Sequence, residues 1–324
     1  MSAARPRSVS VVVASHARHL RLRWLLNALE EQTLERDRWE VVVVHDYGAE
    51  VAERVIARHP LALDGALRHI AIAPGTGSPS RQRNLGWRDS RAPLVAFTDD
   101  DCRPDPGWLE GLLAAAGGAP GAVVQGSVRP DPLEQVVMLA PHVRTLHVDP
   151  VNPYAQTANI MYPRELLERL GGFDEASVTG EDVELSLRAR AAGARFLPAP
   201  GALVYHAVES HPLPGILRQN LKWRHLGRLV ERHPEFRREL RLGVFWNADH
   251  VAVTAALAGL VAARRRRAGL ALAVPYLVRA TGRRGPGPKS RAIALAELPG
   301  GALRDLGEVA VMAAGSVTHR TLVL

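Results

Sequence analysis

Three adjacent carboxylates, Asp99-Asp100-Asp101, follow directly on an apolar run that ends in Phe97-Thr98. Acids this close repel one another unless a cation or cationic side chains offset their charge. A divalent cation bridging a diphosphate does so, because Mg²⁺ and Mn²⁺ take oxygen ligands, commonly one or two carboxylates together with substrate phosphates. The bland alternative is a solvated acidic turn ahead of a helix at Trp108, with Asp105 as its cap. A second acidic pair, Glu181-Asp182, follows Thr179-Gly180. A carboxylate held beside a bound sugar takes the proton from an attacking hydroxyl. Equally, Thr179 caps a helix whose first-turn acids favour its dipole. His206 closes Val204-Tyr205-His206, either as a neutral imidazole joining a metal's ligands or as an ordinary strand-end histidine, with His211 as its competitor.

These groups need elements to hold them. Residues 9–15, 39–44, 67–73, 94–98 and 122–128 read as strands, and residues 20–32 between the first two read as a helix on Trp24, Leu25, Leu26 and Leu29. The alternation predicts a mostly parallel sheet covered on both faces, and ligands of such sheets bind beyond the carboxyl ends of the strands. Ser15, His16 and Arg18 follow the first strand and Asp46 the second, while Arg81, Arg83 and Asn84 precede the fourth. Arginines there suit phosphate oxygens and a carboxylate suits donors on a base or ribose. Each also reads as a solvated loop residue.

Residues 130–163 are proline-rich and predict loops and short elements. Helices are expected over residues 164–170 and 181–192, then two strands over 195–198 and 202–205. Beyond Pro212 the composition shifts: residues 218–241 read as basic helix, and residues 282–288 as a flexible linker. Residues 251–263 are apolar, short of the roughly 20 needed to cross a bilayer, and run into Arg264, Arg265, Arg266 and Arg267.

A chain of 324 residues with 47% hydrophobic content supports a large α/β domain plus an appendage, so disorder is excluded as the default. Its net charge of +8 points to polyanionic partners: nucleic acid, phosphate-bearing substrates or anionic lipid. Cys102 stands alone, which excludes an intrachain disulfide and a cysteine-rich zinc site and fits a reducing compartment. Residues 1–7 carry two arginines and enter the run of residues 8–14, which is too short for a signal-peptide core with a cleavage site and reads as the first strand.

In chain order these stretches resemble the family 2 glycosyltransferases of the GT-A fold, over about the first 210 residues. Ala14-Ser15-His16-Ala17-Arg18 stands where that family shows Pro-Thr-Tyr-Asn-Arg, and residues 41–46 resemble its strand ending in paired aspartates, of which Asp46 remains and His45 replaces the other. Gln82-Arg83-Asn84-Leu85-Gly86 is similar to its Ala-Arg-Asn-x-Gly segment, and Asp99-Asp100-Asp101 to its Asp-x-Asp signature. Thr157-Ala158-Asn159-Ile160-Met161, followed by Gly171-Gly172-Phe173-Asp174-Glu175, is similar to the segment shaping the acceptor side. Glu181-Asp182 matches its Glu-Asp pair.

The resemblance implies a GT-A, Rossmann-like, mostly parallel sheet flanked by helices. Residues 1–212 are then a catalytic domain, with nucleotide-sugar binding over 8–130 and the acceptor side over 131–212, and residues 213–324 a basic, mainly helical extension. It implies inverting, metal-dependent transfer from a nucleotide-diphosphate sugar to a hydroxyl acceptor, lipid-linked or polysaccharide. Asp182 becomes the base; Asp101 and His206 hold Mn²⁺ or Mg²⁺. Ser15, His16, Arg18, Asp46, Arg83, Asn84, Asp99 and Asp100 bind the donor, and Asn159 and Glu181 lie on the acceptor side.

Rival classes lack their signatures. A sugar nucleotidyltransferase wants a glycine-rich loop after the first strand, and residues 14–18 hold no glycine; a dinucleotide oxidoreductase wants its glycines there too, whereas Gly75-Thr76-Gly77 follows the third strand. The intact carboxylates argue against a non-catalytic nucleotide-sugar-binding or scaffold protein. Five phenylalanines and five tyrosines are too few for a single-strand nucleic-acid binder, so no nucleic-acid partner is expected. The pairing of apolar residues 251–263 and 270–278 with clustered arginines reads as a cytoplasmic protein held at the inner face of an anionic membrane, or equally as segments packed into the protein's own core with the arginines a solvated face.

Overall fold

The computed structural model describes residues 7–324; the N-terminal residues before Arg7, part of the segment weighed as a leader, lie outside it. Ten strands form: β1 (Val9–Ser15), β2 (Trp39–His45), β3 (Leu67–Ala71), β4 (Leu94–Asp99), β5 (Cys102–Pro104), β6 (Val123–Pro130), β7 (Val143–Arg144), β8 (Ile160–Pro163), β9 (Phe196–His206) and β10 (Glu209–Ser210). Eight make one sheet in the order β3-β2-β1-β4-β8-β6-β9-β5, and β7 pairs with β10. β3, β2, β1 and β4 are mutually parallel, as is β6 with β9, whereas β8 runs antiparallel to β4 and β6, and β5 antiparallel to β9. The result is the mixed, mostly parallel sheet that the strand–helix alternation predicts.

The helices of this half are α1 (His19–Glu30), the short α2 (Ala49–Ala52) and α3 (Pro60–Leu63), α4 (Pro79–Asp89), α5 (Trp108–Gly117), α6 (Arg164–Leu170) and α7 (Glu181–Ala191). They cover both sheet faces, as the period-2 pattern of β1 requires: Val9, Val11 and Val13 pack with Leu22, Leu25, Leu26 and Leu29 of α1, while Val12 packs with Trp87 of α4 and Phe97 of β4. Each of those four buried leucines contributes about 2 kcal/mol, which makes α1 a fixed wall of the sheet. Trp24 is not in that wall; it is half exposed under the Arg21 guanidinium, and Leu22 takes the place expected for it. Gly86 lets α4 press onto the sheet, since a Cβ there would lie 2.5 Å from a Val12 methyl.

Other departures have physical causes. The two strands expected over 195–205 are one, β9, whose register against β6 slips between Gly126 and Ser127. β5 and β8 were not anticipated, because three- and four-residue strands in proline-bearing stretches carry too little periodicity to read. α5 has Gly107 as its N-cap, and Asp105 instead accepts the Gly107 N–H at 3.2 Å.

Two compact units result, one running to Met138 and resuming over Arg144–Glu209, the other comprising Leu139–Val143 and Ser210–Leu324. The second holds α8 (Leu213–Asn220), α9 (Leu226–Arg232), α10 (Ala248–Ala263), α11 (Val274–Gly282) and α12 (Pro288–Thr318). The single basic helix expected over 218–241 is broken into shorter pieces, with His233-Pro234 ending α9. Among the described residues no helix is long and apolar enough to cross a membrane.

Candidate functional site

Parallel register aligns the carboxyl ends of three strands: Ala14 pairs with Asp99 across β1 and β4, and Ser15 with His45 across β1 and β2. Most residues singled out from the sequence therefore meet at one sheet edge. Ser15 is buried, and its hydroxyl donates to Asp100 Oδ2 at 2.7 Å while lying 2.6 Å from the Tyr47 hydroxyl. The His16 N–H donates to the same Asp100 oxygen at 3.2 Å. Ser15 and Asp100, expected to touch the donor, bracket the end of β1 to the turn after β4. Burial pushes the Asp100 carboxyl up to about 7, with the Ser15 hydrogen bond acting against it and the Asp101 charge adding to it.

Asp101 faces the other way. β5 pairs with β9 in the register Cys102↔His206, which sets His206 beside Asp101. His206 Nδ1 lies 2.8 Å from the Ala207 carbonyl oxygen, which only accepts, so Nδ1 carries a proton and a neutral imidazole presents its Nε2 lone pair. Nε2 lies 3.6 Å from Asp101 Oδ1, a buried oxygen without a hydrogen-bond partner. Two facing lone pairs call for a shared proton or a cation. Asp99, Asp101 and Cys102 offer ligand atoms within 4.8 Å of one another. The carboxylates and imidazole suit Mn²⁺ or Mg²⁺ better than the soft sulfur of Cys102 does, and burial raises the Cys102 thiol well above its usual range. Burial also raises the Asp101 carboxyl, opposed by His206 and Arg18.

Arg18 is ion-paired to Asp101 Oδ2, with Asp100 at 3.7 Å and Glu209 at 3.5 Å. Arg83 of α4 joins the two acidic motifs: it donates to Asp99 Oδ1 at 2.9 Å and to Glu181 Oε1 at 2.8 Å, buried to within 8% of full enclosure. A buried cation held by two carboxylates fixes both. Asp182 follows Glu181 at the head of α7. The residue before this helix is Gly180, with a left-handed φ of 76°, and no side chain caps it, so Thr179 is not the cap considered above. Burial first and the Glu181 charge second raise the Asp182 carboxyl above the usual range, against the Val183 N–H bond and Arg83.

On the β2 side, His16 Nδ1 lies 2.6 Å from Asp46 Oδ2, which the Gly75 N–H also approaches at 3.4 Å. His45, where a second aspartate was expected, accepts the Tyr47 N–H at 3.2 Å on Nδ1; its Nε2–H therefore points at His69 Nδ1, 3.0 Å away. Burial and then His69 push His45 down to about 4, which keeps it neutral. Tyr47, His69 and Glu209 were not singled out, although Tyr47 follows β2 as directly as Asp46 does. Gln82, in the same motif as Arg83, donates to the Ser15 carbonyl at 3.0 Å.

Two residues expected to contact ligands are bonded within the protein. Asn84 is fully buried: its amide donates to the Phe173 carbonyl and Glu175, and its oxygen accepts from Trp87 Nε1 and the Phe173 N–H, all between 2.8 and 2.9 Å. That exhausts its capacity and makes it a tie between α4 and the turn after α6, not a donor contact. Asn159 accepts from Trp108 Nε1 and donates to the Ser127 and Ala202 carbonyls, each at 2.8 Å, bridging β6 and β9 where their register slips. It holds the sheet.

Residues 10–171 match the profile described as Glycosyl transferase family 2, and residues 94–278 match that of Glycosyl transferase family group 2. The chain belongs to glycosyl transferase family 2. This family 2 chain is 32% identical over 173 residues to the pre-mycofactocin glycosyltransferase of Mycobacterium tuberculosis, covering 50% of the chain and 37% of the relative. It is 27% identical over 191 residues to the glycosyltransferase AglE of Haloferax volcanii, covering 57% and 62%. It therefore spans less than two thirds of the length of either relative. Among solved structures, the mannosyltransferase PcManGT from Pyrobaculum calidifontis, in complex with GDP-Man and Mn²⁺, superposes with a TM-score of 0.58 at 21% identity, over 98% of this chain and 87% of that one. Staphylococcus aureus TarS with UDP gives 0.52 at 16% identity, over 97% and 92%. These neighbours share the fold.

Proposed function

We propose that the chain is an inverting glycosyltransferase that moves a sugar from a nucleotide-diphosphate donor to a hydroxyl acceptor, with lipid-linked and polysaccharide glycans as the acceptor classes. The observation that carries this reading is Arg83, which ties the Asp99–Asp101 edge to the Glu181-Asp182 pair and so sets a diphosphate end and a base end in one site. Family membership and the GDP-Man and UDP seen in the two fold neighbours support a nucleotide-sugar donor.

In this reading Asp46 accepts N–H groups of the base, with His16 beside it. Asp101 and His206 hold a divalent cation, in a donor set whose facing lone pairs suit one; when bound, it offsets charge on the departing diphosphate. Arg18, already resting on Asp101, is within reach to stabilise phosphate oxygens. Asp182 takes the proton from the acceptor hydroxyl as its oxygen forms a bond to the anomeric carbon. The carbon–oxygen bond to the diphosphate breaks on the opposite face, and the electron pair leaves with the nucleoside diphosphate. Burial raises the affinity of Asp182 for that proton, which is what a base working near neutrality needs. The test is stereochemical: an α-linked donor should yield a β-linked product by NMR, and retention of the anomeric configuration would overturn both the mechanism and the role of Asp182.

A further inference from the structure

Residues 250–296 contain nine arginines and lysines and not one aspartate or glutamate, so this stretch alone accounts for the chain's net charge of +8. Three of the nine are neutralised by their surroundings: Arg279 by Asp249, Arg283 by Asp249 and Asp305, and Arg284 by Glu297. Arg264, Arg265, Arg266 and Arg267 are all exposed, and none forms an ion pair among the described residues.

These four lie at the tip of a tight hairpin, where α10 turns into the 3₁₀ segment Arg267–Ala273. Glycines set the closeness of its two arms: a Cβ on Gly259 would lie 2.5 Å from the Gly269 carbonyl oxygen, and one on Gly269 2.7 Å from that of Gly259. Backbone packs on backbone, so the large side chains are left outside. Leu257, Leu260 and Val261 of α10, Leu270 and Leu272 of the return arm and Val278 of α11 are 48–65% exposed. Nearer its start α10 is covered, with Ala252, Val253 and Ala256 packed against Tyr276 and Ala280. The exposed leucines and valines are therefore a surplus that the core of this unit does not use.

We propose that this hairpin seats in the headgroup region of an anionic phospholipid bilayer, with the leucines and valines at the acyl boundary and the four arginines on lipid phosphates. Only such a surface takes both features: a nucleic acid would leave the apolar side chains in water, and a neutral bilayer would leave the arginines unmatched. The 16 residues of α10 reach about 24 Å at 1.5 Å per residue, short of a ~30 Å hydrocarbon core, so the hairpin lies in the interface and does not span it. The proposal stands independently of the transfer chemistry.

Co-sedimentation of the full chain with vesicles of pure phosphatidylcholine, and with vesicles containing 30% phosphatidylglycerol, tests it. Binding is expected only with phosphatidylglycerol and should weaken as salt is raised. An exposed basic residue near such a surface is worth roughly fivefold in affinity. The joint variant R264Q, R265Q, R266Q, R267Q should therefore bind about 600-fold more weakly, with an unchanged circular dichroism melting curve. Leu260→Ser with Leu272→Ser should lower affinity at least ~10-fold. Equal binding to both vesicle types, wild-type binding by either variant, or capture by a DNA duplex but not by vesicles overturns the proposal.

Discussion

Asn84 and Asp101 are both polar, both buried and both drawn from motifs of the same family resemblance, yet their surroundings differ in kind. Asn84 has every hydrogen-bonding valence filled by the protein, and Asn159 has both amide N–H groups and its oxygen bonded within it. Asp101 keeps one oxygen without a partner opposite an imidazole lone pair, and Asp182 carries a carboxyl raised by burial beside Glu181. A buried polar group whose bonds are complete holds the fold; one left incomplete is available to a ligand. Arg83 stands between the two cases, buried and paired, but to Asp99 and Glu181, the neighbours in sequence of the two incomplete acids.

The sharpest way to break this contrast is Asp182→Asn. An amide accepts no proton from the acceptor, so turnover should fall about 10³-fold while calorimetry shows nucleoside diphosphate binding retained; near-normal turnover would return Asp182 to a helix-end acid. The pH profile is next. The base acts ionised and its pKa is raised, so turnover should drop tenfold per unit as pH falls through a limb above the usual carboxylate range of about 4. A limb at that ordinary value, or none, removes the burial argument. Asn84→Ala should do the opposite of Asp182→Asn: about 2 kcal/mol of stability lost in denaturant melts, with turnover of the folded protein within a few-fold of wild type.

The smallest effect concerns Asp100. Its folded pKa of about 7 exceeds the unfolded value, so its contribution to stability is present at low pH and is lost as pH rises from about 4 towards 7. In chelator, Asp100→Asn should flatten that slope. An unchanged slope would place the burden on another group.

Much of the fold was legible because β1, β2 and β4 are long β-branched runs whose alternation and order state a parallel sheet. β5 and β8 were not, being too short to show a period, yet β5 is what sets His206 against Asp101. The acidic motifs announced themselves by charge density. Their union through Arg83 did not, since the bridge depends on how closely α4 sits on the sheet at Gly86, a tertiary distance. Asn84 and Asn159 misled for the same reason: a motif identifies a residue type and not whether its partners come from the chain or from a ligand. Tyr47 and Glu209 escaped because an isolated loop residue carries no pattern, although the edge rule that flagged Asp46 reaches Tyr47 as well.

The most direct test of the account is release of nucleoside diphosphate from a panel of UDP-, GDP- and dTDP-sugars, with Mn²⁺ or Mg²⁺ and again after chelation, by the wild-type chain and by Asp101→Ala. The account predicts turnover of at least one donor by the wild type that disappears with the metal and is absent in the folded Asp101→Ala protein. Equal turnover with and without metal, or by the Asp101→Ala protein, would contradict it.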